Sequence, residues 1–464
     1  MKMKNLATAL PLLLVLSLAR AMSVETVQTN RGKAKSPVSG FSGQSQAYDL
    51  VLPYIRIDLK STIPGLHKSG TVYRLPTPLT SLELDWESVD GGYIARIHVA
   101  SAQAKRLRLH LVFSKTSPSL TFRLQGSMDV MPLAPIDQSL INKNGIWLPA
   151  TKGNAADLEI FVNETNPPFD LFIIDAVNII VAGLSIGGKG NSASALFHPN
   201  DRSVIIGQSL GLAQAPEYDL TCWAGSVQYP ALQQAASATP VVEFIKNLNS
   251  YICSGTLLTD TRHSMTPWFV TANHCIGNQA TANTATFQWF DQAQSCLGST
   301  IDSRDAQTSG GAQVLWTNVK NDTTLMKLRV PPPAGVAYIG WDSGRLKVGA
   351  TVWGIHHPKG DQTMVSLGNV LAVNSNVTGE DGVARLLNMV EYHYGGTEDG
   401  SSGSGLFVME KGKAKWRGAL YGGPLNDYQN AVYSDFSGYY SNIEYWLTGQ
   451  SLKRRNILKS NKLR

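Results

Sequence analysis

No stretch beyond residue 21 reaches the roughly 20 consecutive apolar residues that a membrane-spanning helix requires, so stable membrane insertion is not expected. An excess of one charge is also lacking over the body of the chain. Six of the 40 basic residues (Lys453, Arg454, Arg455, Lys459, Lys462 and Arg464) stand without an acid in residues 451–464, and the 34 that remain equal the 34 acidic residues. This excludes a general nucleic-acid footprint, and residues 450–464 read as a solvated or removable basic tail. Cysteine is scarce, with only Cys222, Cys253, Cys275 and Cys296. They show no Cys-x2-4-Cys spacing, so no metal site is expected, and no cofactor is implied. Their composition alone leaves three pairings open.

What is present begins with a signal peptide over residues 1–21. Lys2 and Lys4 form a positive start, Leu6 to Leu18 an apolar core, and Ala19-Arg20-Ala21 a cleavage site before Met22. The protein is therefore expected to be secreted, extracellular or periplasmic in transit, where disulfides are permitted.

A chain of 464 residues is too long for one ordinary domain. Residues 22–48, polar and rich in Ser, Gly and Gln, read as a flexible leader. Residues 49–185 read as a β-rich domain. Leu107, Leu109, Leu111 and Phe113 alternate with Arg106, Arg108, His110 and Val112, and residues 93–99 repeat the period of two. Further short runs at 120–124, 158–162 and 171–174 suggest a sandwich. His98 and His110 fall on the polar phase and are expected at the surface. Glycines from Gly183 to Gly211, with Lys189, Arg202 and Pro216, mark a linker and processing region at 186–216.

Residues 217–449 hold every cysteine. Short strands are expected at 268–272, 286–290, 323–328, 351–355, 406–408 and 431–433, with a terminal helix at 440–447. No long amphipathic helix separates the strands, which argues against a parallel α/β sheet. The expected fold class is all-β: a chymotrypsin-like double β-barrel preceded by a β-sandwich-like domain.

Chemistry centres on Gly400-Ser401-Ser402-Gly403-Ser404-Gly405 and Thr271-Ala272-Asn273-His274-Cys275. A serine hydroxyl needs a neighbouring base before it attacks a carbonyl, and glycines permit the tight turn that aims backbone N–H groups at a developing oxyanion. Standing alone, the first motif is merely a flexible Gly/Ser loop; the second motif turns it into a candidate nucleophile. His274 follows the apolar run Trp268-Phe269-Val270, unlike His263, His356, His357 and His393. Asp322 opens a strand at 322–328. The order His274, Asp322, Ser402 is that of chymotrypsin-type enzymes. No histidine follows Ser402, which excludes the α/β-hydrolase order, and the strand pattern excludes a subtilisin-like body.

Six blocks then carry a resemblance: Cys253-Ser254-Gly255-Thr256-Leu257-Leu258, residues 271–275, Asn321-Asp322-Thr323-Thr324-Leu325, Ile355-His356-His357-Pro358, residues 400–404 and Gly422-Gly423-Pro424. In this order they resemble the bacterial secreted trypsin-like serine endopeptidases, most nearly the lysyl endopeptidases. Trp147-Leu148-Pro149 and Leu158-Glu159-Ile160 are similar to pieces of their propeptide. The resemblance implies a proenzyme whose β-rich region is a pro-domain. It implies Ser402 as nucleophile, His274 as base, Asp322 as its orienting acid, and the N–H groups of Gly400 and Ser402 as the oxyanion hole. It implies disulfides Cys253–Cys275 and Cys222–Cys296. It places Asp427 at the base of a pocket for Lys or Arg, with Tyr421, Gly422 and Gly423 along the substrate strand. Gly396 stands where trypsins carry the pocket acid, and Ser401 where many carry the Asp that receives a freed N-terminal ammonium. Activation through that ion pair is therefore not expected, and a third family disulfide is missing. Expected partners are protein or peptide substrates and the chain's own pro-domain, in a monomer. The alternatives are a trypsin-like protease of different specificity and a catalytically silent homologue serving as a binding module.

Overall fold

The structure, a computed structural model, describes residues 22–28, 46–61, 63, 65–114, 120–130, 132–133, 145–166, 170–184, 218–379, 381–424 and 427–449. The linker at 186–216 and the basic tail lie outside the described residues.

Alternation along Arg106–Phe113 organises the N-terminal half. Its odd-numbered residues Leu107, Leu109, Leu111 and Phe113 point into a core with Ile97, Val99, Phe122, Leu158, Ile160 and Phe172. One sheet over this core runs Tyr48–Val51, Gly92–Ala100, Ala155–Val162, Leu120–Gly126. The facing sheet contains His67–Thr80, Phe172–Ile180 and Arg106–Phe113. This is the expected sandwich, two half-apolar sheets burying their inner faces against each other.

The second sheet does not end at the domain. His67–Thr80 also pairs antiparallel with Asn249–Ser254, so a nine-stranded sheet continues through Val241–Lys246 into the C-terminal half. Gly70 sits at the join, where a Cβ would lie 2.2 Å from the carbonyl oxygen of Ile179. The polar phase of Arg106–Phe113 is consequently an interdomain face rather than a solvated one. Arg106 pairs with Glu243 at 2.9 Å, their side chains 2% and 3% exposed. Arg108 donates to the carbonyls of Leu148 and Thr284. His110 is half-buried, 2.6 Å from Asp175 and 4.8 Å from the ring of Trp147. His98 stays nearer the surface beside Asp157.

The leader also departs from expectation at its start. Met22–Gln28 is docked on the C-terminal half, with Val27 opposite Tyr338, Val24 buried, and Glu25 2.9 Å from both Lys413 and Lys415.

The C-terminal half is a double β-barrel. In the second barrel the pairing runs Lys413–Gly422, Gly405–Glu410, Thr351–His356, Met364–Thr378, Ala384–Tyr394, Asn430–Ser434, and the last strand pairs back to the first. Val352, Val390, Leu406, Leu420 and Tyr433 fill it. In the first barrel Val241–Lys246, Asn249–Ser254 and Thr286–Trp289 curl against Thr256–Leu258, Trp268–Thr271, Thr323–Leu328 and Ala312–Asn318. The terminal helix is longer than expected, Phe436–Thr448, because Phe436, Tyr439, Tyr440, Ile443 and Leu447 recur at helical spacing and all are buried. A second helix, Tyr229–Ser237, was not anticipated; its Pro230 and alanines are the signal for it. No described helix is long and apolar enough to cross a membrane.

Candidate active site

Strand Trp268–Thr271 delivers His274 to the barrel edge, and the turn at Val319–Asn321 delivers Asp322. Asn318 caps that turn by accepting from the N–H of Asn321, and Asp322 takes a left-handed conformation with φ 44°. Both carboxylate oxygens of Asp322 then serve His274. Nδ1 lies 2.7 Å from Oδ2, and the backbone N–H of His274 donates to Oδ1 at 2.9 Å. The Asp322 side chain is fully buried while the imidazole is 16% exposed. A proton on Nδ1 held by a buried carboxylate leaves Nε2 as the basic nitrogen. Cys253–Cys275 bridges beside this turn, and Cys222–Cys296 forms the second disulfide.

Ser402 lies in the turn that opens strand Gly405–Glu410. Gly403 has φ +83°, and a Cβ there would meet Thr271 Oγ1 at 2.3 Å, so only glycine lets the turn approach the strand that leads to His274. The loop is pinned where Ser254 N–H donates to the Ser402 carbonyl at 2.8 Å and Gly403 N–H to that of Leu420 at 2.8 Å. The N–H groups of Gly400 and Ser402 donate to no acceptor among the described residues. The Ser402 hydroxyl donates to the carbonyl of Gly65, 3.0 Å away, rather than to His274. Gly65 belongs to a turn closed by Leu66 N–H on the carbonyl of Ile63. It has φ +73°, and its missing Cβ would lie 3.3 Å from His274 Nε2.

Beside His274 opens a cleft of about 490 Å³ lined by Ile63, Gly65, Tyr421, Gly422, Gly423 and Asn430, among others. The Tyr421 ring stands edge-on to the imidazole at 5.9 Å. The Arg385 guanidinium lies 4.7 Å over Tyr421, donates to the Val319 carbonyl at 3.0 Å, and pairs with Asp381. Sequence reasoning missed Arg385 and Asp381, whose four-residue spacing across a glycine turn looks like any hairpin tip. Asp381 lines the cleft, and its bonds from Arg385 lower its pKa to about 2. Asp427 lies in the adjoining turn, where its carboxylate accepts from Asn430 Nδ2 at 2.7 Å and Asn430 N–H at 3.2 Å. These bonds hold it below the usual carboxylate range. Of the competing histidines, His356 and His357 are buried, His393 pairs with Asn369, and His263 lies beside Thr259.

A double β-barrel that brings an Asp-His pair and a serine on a glycine turn against the same residue, Gly65, fits a serine endopeptidase. Residues 210–441 match the C-terminal domain of lysyl endopeptidases and residues 71–173 their N-terminal domain. The chain is 32% identical over 394 residues to lysyl endopeptidase of Pseudomonas aeruginosa, covering 81% of this chain and 80% of that one. It is 24% identical over 319 residues to secreted RxLR effector protein 73 of Plasmopara viticola, covering 63% and 75%. Among solved structures, the active form of the Rv3671c protease from M. tuberculosis aligns with a TM-score of 0.34 at 15% identity, over 55% of this chain and 96% of that one. HtrA-type protease AlgW with a tripeptide aligns at 0.34 and 16% identity, over 47% and 63%. The chain belongs to the lysyl endopeptidase family.

Proposed function

We propose that the chain is a secreted proenzyme whose processed form cleaves peptide bonds after Lys, or Lys and Arg, through Ser402, His274 and Asp322. Ser402 Oγ attacks the scissile carbonyl carbon while its proton passes to His274 Nε2. The carbonyl π electrons move to oxygen, which the N–H groups of Gly400 and Ser402 stabilise. Asp322 steadies the imidazolium. The C–N bond then breaks, and the leaving amine takes the proton from Nε2. Water, deprotonated by the same nitrogen, releases the acyl group from Ser402. A substrate ammonium pairs with the Asp427 carboxylate, and Tyr421, Gly422 and Gly423 carry the substrate strand.

Residues 22 to about 200 form the pro-domain, with removal following cuts in the linker. Supporting this is one contact: the Gly65 carbonyl occupies the Ser402 hydroxyl. Gly65 brings no side chain to a specificity pocket, and its turn differs from the extended chain a protease cuts. The basic tail is trimmed, and the processed enzyme acts as a monomer on proteins and peptides.

The test is a digest of a complex peptide mixture by processed protein, with Ser402→Ala and Asp427→Asn beside it. Cuts after lysine that vanish with Ser402→Ala are expected. Cuts after other residues would remove Asp427 from its role, and no serine-dependent cleavage would leave a silent binding module.

A further inference from the structure

Behind the candidate oxyanion loop lies a chain of buried polar groups that the catalytic scheme does not use. The loop runs Gly396-Thr397-Glu398-Asp399-Gly400-Ser401-Ser402. At one end Ser366 Oγ donates to the Gly396 carbonyl at 2.9 Å. Ser366 Oγ is also 2.9 Å from His356 Nε2, and His356 Nδ1 is 2.9 Å from Ser401 Oγ. At the other end Ser401 Oγ accepts from Glu398 N–H at 3.3 Å. His356, Ser401 and Ser366 are each no more than 1% exposed.

The proton positions follow from counting. Ser366 has one hydroxyl proton and gives it to Gly396, so toward His356 it only accepts, and Nε2 must carry hydrogen. A neutral imidazole then has a bare Nδ1, which accepts the proton of Ser401. Every group is satisfied without a charge, as a fully buried site demands. Burial agrees with this reading, pushing the His356 pKa down to about 3. A second brace meets the loop at Gly400, whose carbonyl accepts from Ser254 Oγ at 3.0 Å while Ser254 Oγ accepts from His357 N–H.

We infer that His356 is a positioning residue that ties both ends of the oxyanion loop together through Ser366 and Ser401. This neutral relay stands where other trypsin-like enzymes use an aspartate and a freed N-terminal ammonium. It holds the Gly400 and Ser402 N–H groups in place in the uncut chain, so latency comes from the occupied serine rather than from an unformed hole. The inference rests on the peptidase reading above.

The test uses enzyme processed from full chains carrying Ser401→Ala or Ser366→Ala, with Ser401→Thr as the conservative variant. Three quantities are read: kcat on a lysyl peptide amide, affinity for the corresponding peptide aldehyde, and affinity of the uncleaved peptide measured in a Ser402→Ala background. Loss of one oxyanion donor typically costs about 10²–10³ in rate, and a drop in kcat of about 10²-fold is expected here. Aldehyde affinity should fall with it, since its adduct with Ser402 needs the same N–H groups. Ground-state peptide affinity should stay within about threefold, and Ser401→Thr should recover most of kcat. An unchanged kcat, or a peptide affinity that falls in step with kcat, overturns the inference. So does misfolding of both alanine variants, which would make the relay a folding element only. Absence of Ser402-dependent hydrolysis by the unsubstituted enzyme overturns the peptidase reading instead, and the two failures are thus distinct.

Discussion

The hydroxyl of Ser402 donates to the carbonyl of Gly65 at 3.0 Å, across 337 positions of sequence. Continuing from Gly65, the chain runs as His67–Thr80 along Asn249–Ser254, the strand that carries Cys253. A turn of the N-terminal half therefore covers the candidate nucleophile, with glycine against its hydroxyl.

This contact sets the first prediction. A Leu at position 65 would place Cβ 3.3 Å from His274 Nε2 and 3.6 Å from Ser402 Oγ, on a backbone with φ +73°. Left-handed backbone costs a non-glycine residue about 1 kcal/mol, and the clash adds to it. Gly65→Leu should expose Ser402 in the uncut chain, seen as at least about tenfold faster labelling by a fluorophosphonate. An unchanged labelling rate would show that Gly65 does not restrain the site.

The Asp322 carboxylate spends both oxygens on His274. Asp322→Asn offers an amide that disfavours the tautomer with hydrogen on Nδ1. Loss of about 10⁴-fold in kcat, with KM little changed, is expected from steady-state kinetics of the processed enzyme.

Arg106 and Glu243 form an ion pair buried between the two halves. Removing one partner strands a buried charge, which typically costs about 3–5 kcal/mol, whereas replacing both by apolar residues of similar volume is often neutral. Arg106→Ala should sharply lower the urea midpoint of the full chain. Arg106→Met with Glu243→Leu should recover most of it, and a double variant as weak as the single one would contradict this account.

Acid should loosen the same interface. His67 opens the strand behind Gly65, its Nε2 is buried without a hydrogen-bond partner among the described residues, and its pKa is lowered to about 4, chiefly by burial and then by Lys359, against an opposing pull from Glu398. Above the ordinary imidazole value of about 6.5 the histidine is neutral in both states and docking carries no penalty from it. Between about 6.5 and 4 the released state binds the extra proton, so docking weakens as pH falls. Linker-cut protein should shed its N-terminal half more readily at pH 5 than at pH 7. With His67→Gln this dependence should shrink, as measured by size-exclusion chromatography.

The barrels were legible because half-buried strands repeat every two residues and turns are marked by glycine, proline and asparagine. Thr323–Leu328 has the expected bounds. The candidate serine, histidine and aspartate stood out because their chemistry needs particular residue types next to glycines and strand ends. Arg385 and His356 did not, since nothing local separates an arginine at a hairpin tip, or a histidine in a strand, from any other.

By itself, the sequence determined the all-β class, the candidate nucleophile and base, and the order in which they meet. Only the tertiary structure decided that Arg106 and Arg108 are buried, that Met22–Gln28 is docked, and that Gly65 covers Ser402. The reason is physical. Periodicity reports which face of a strand is apolar, but not what lies against the polar face. That is decided by a second domain far along the chain, through sheet pairing and buried charge that exist only once both halves have folded.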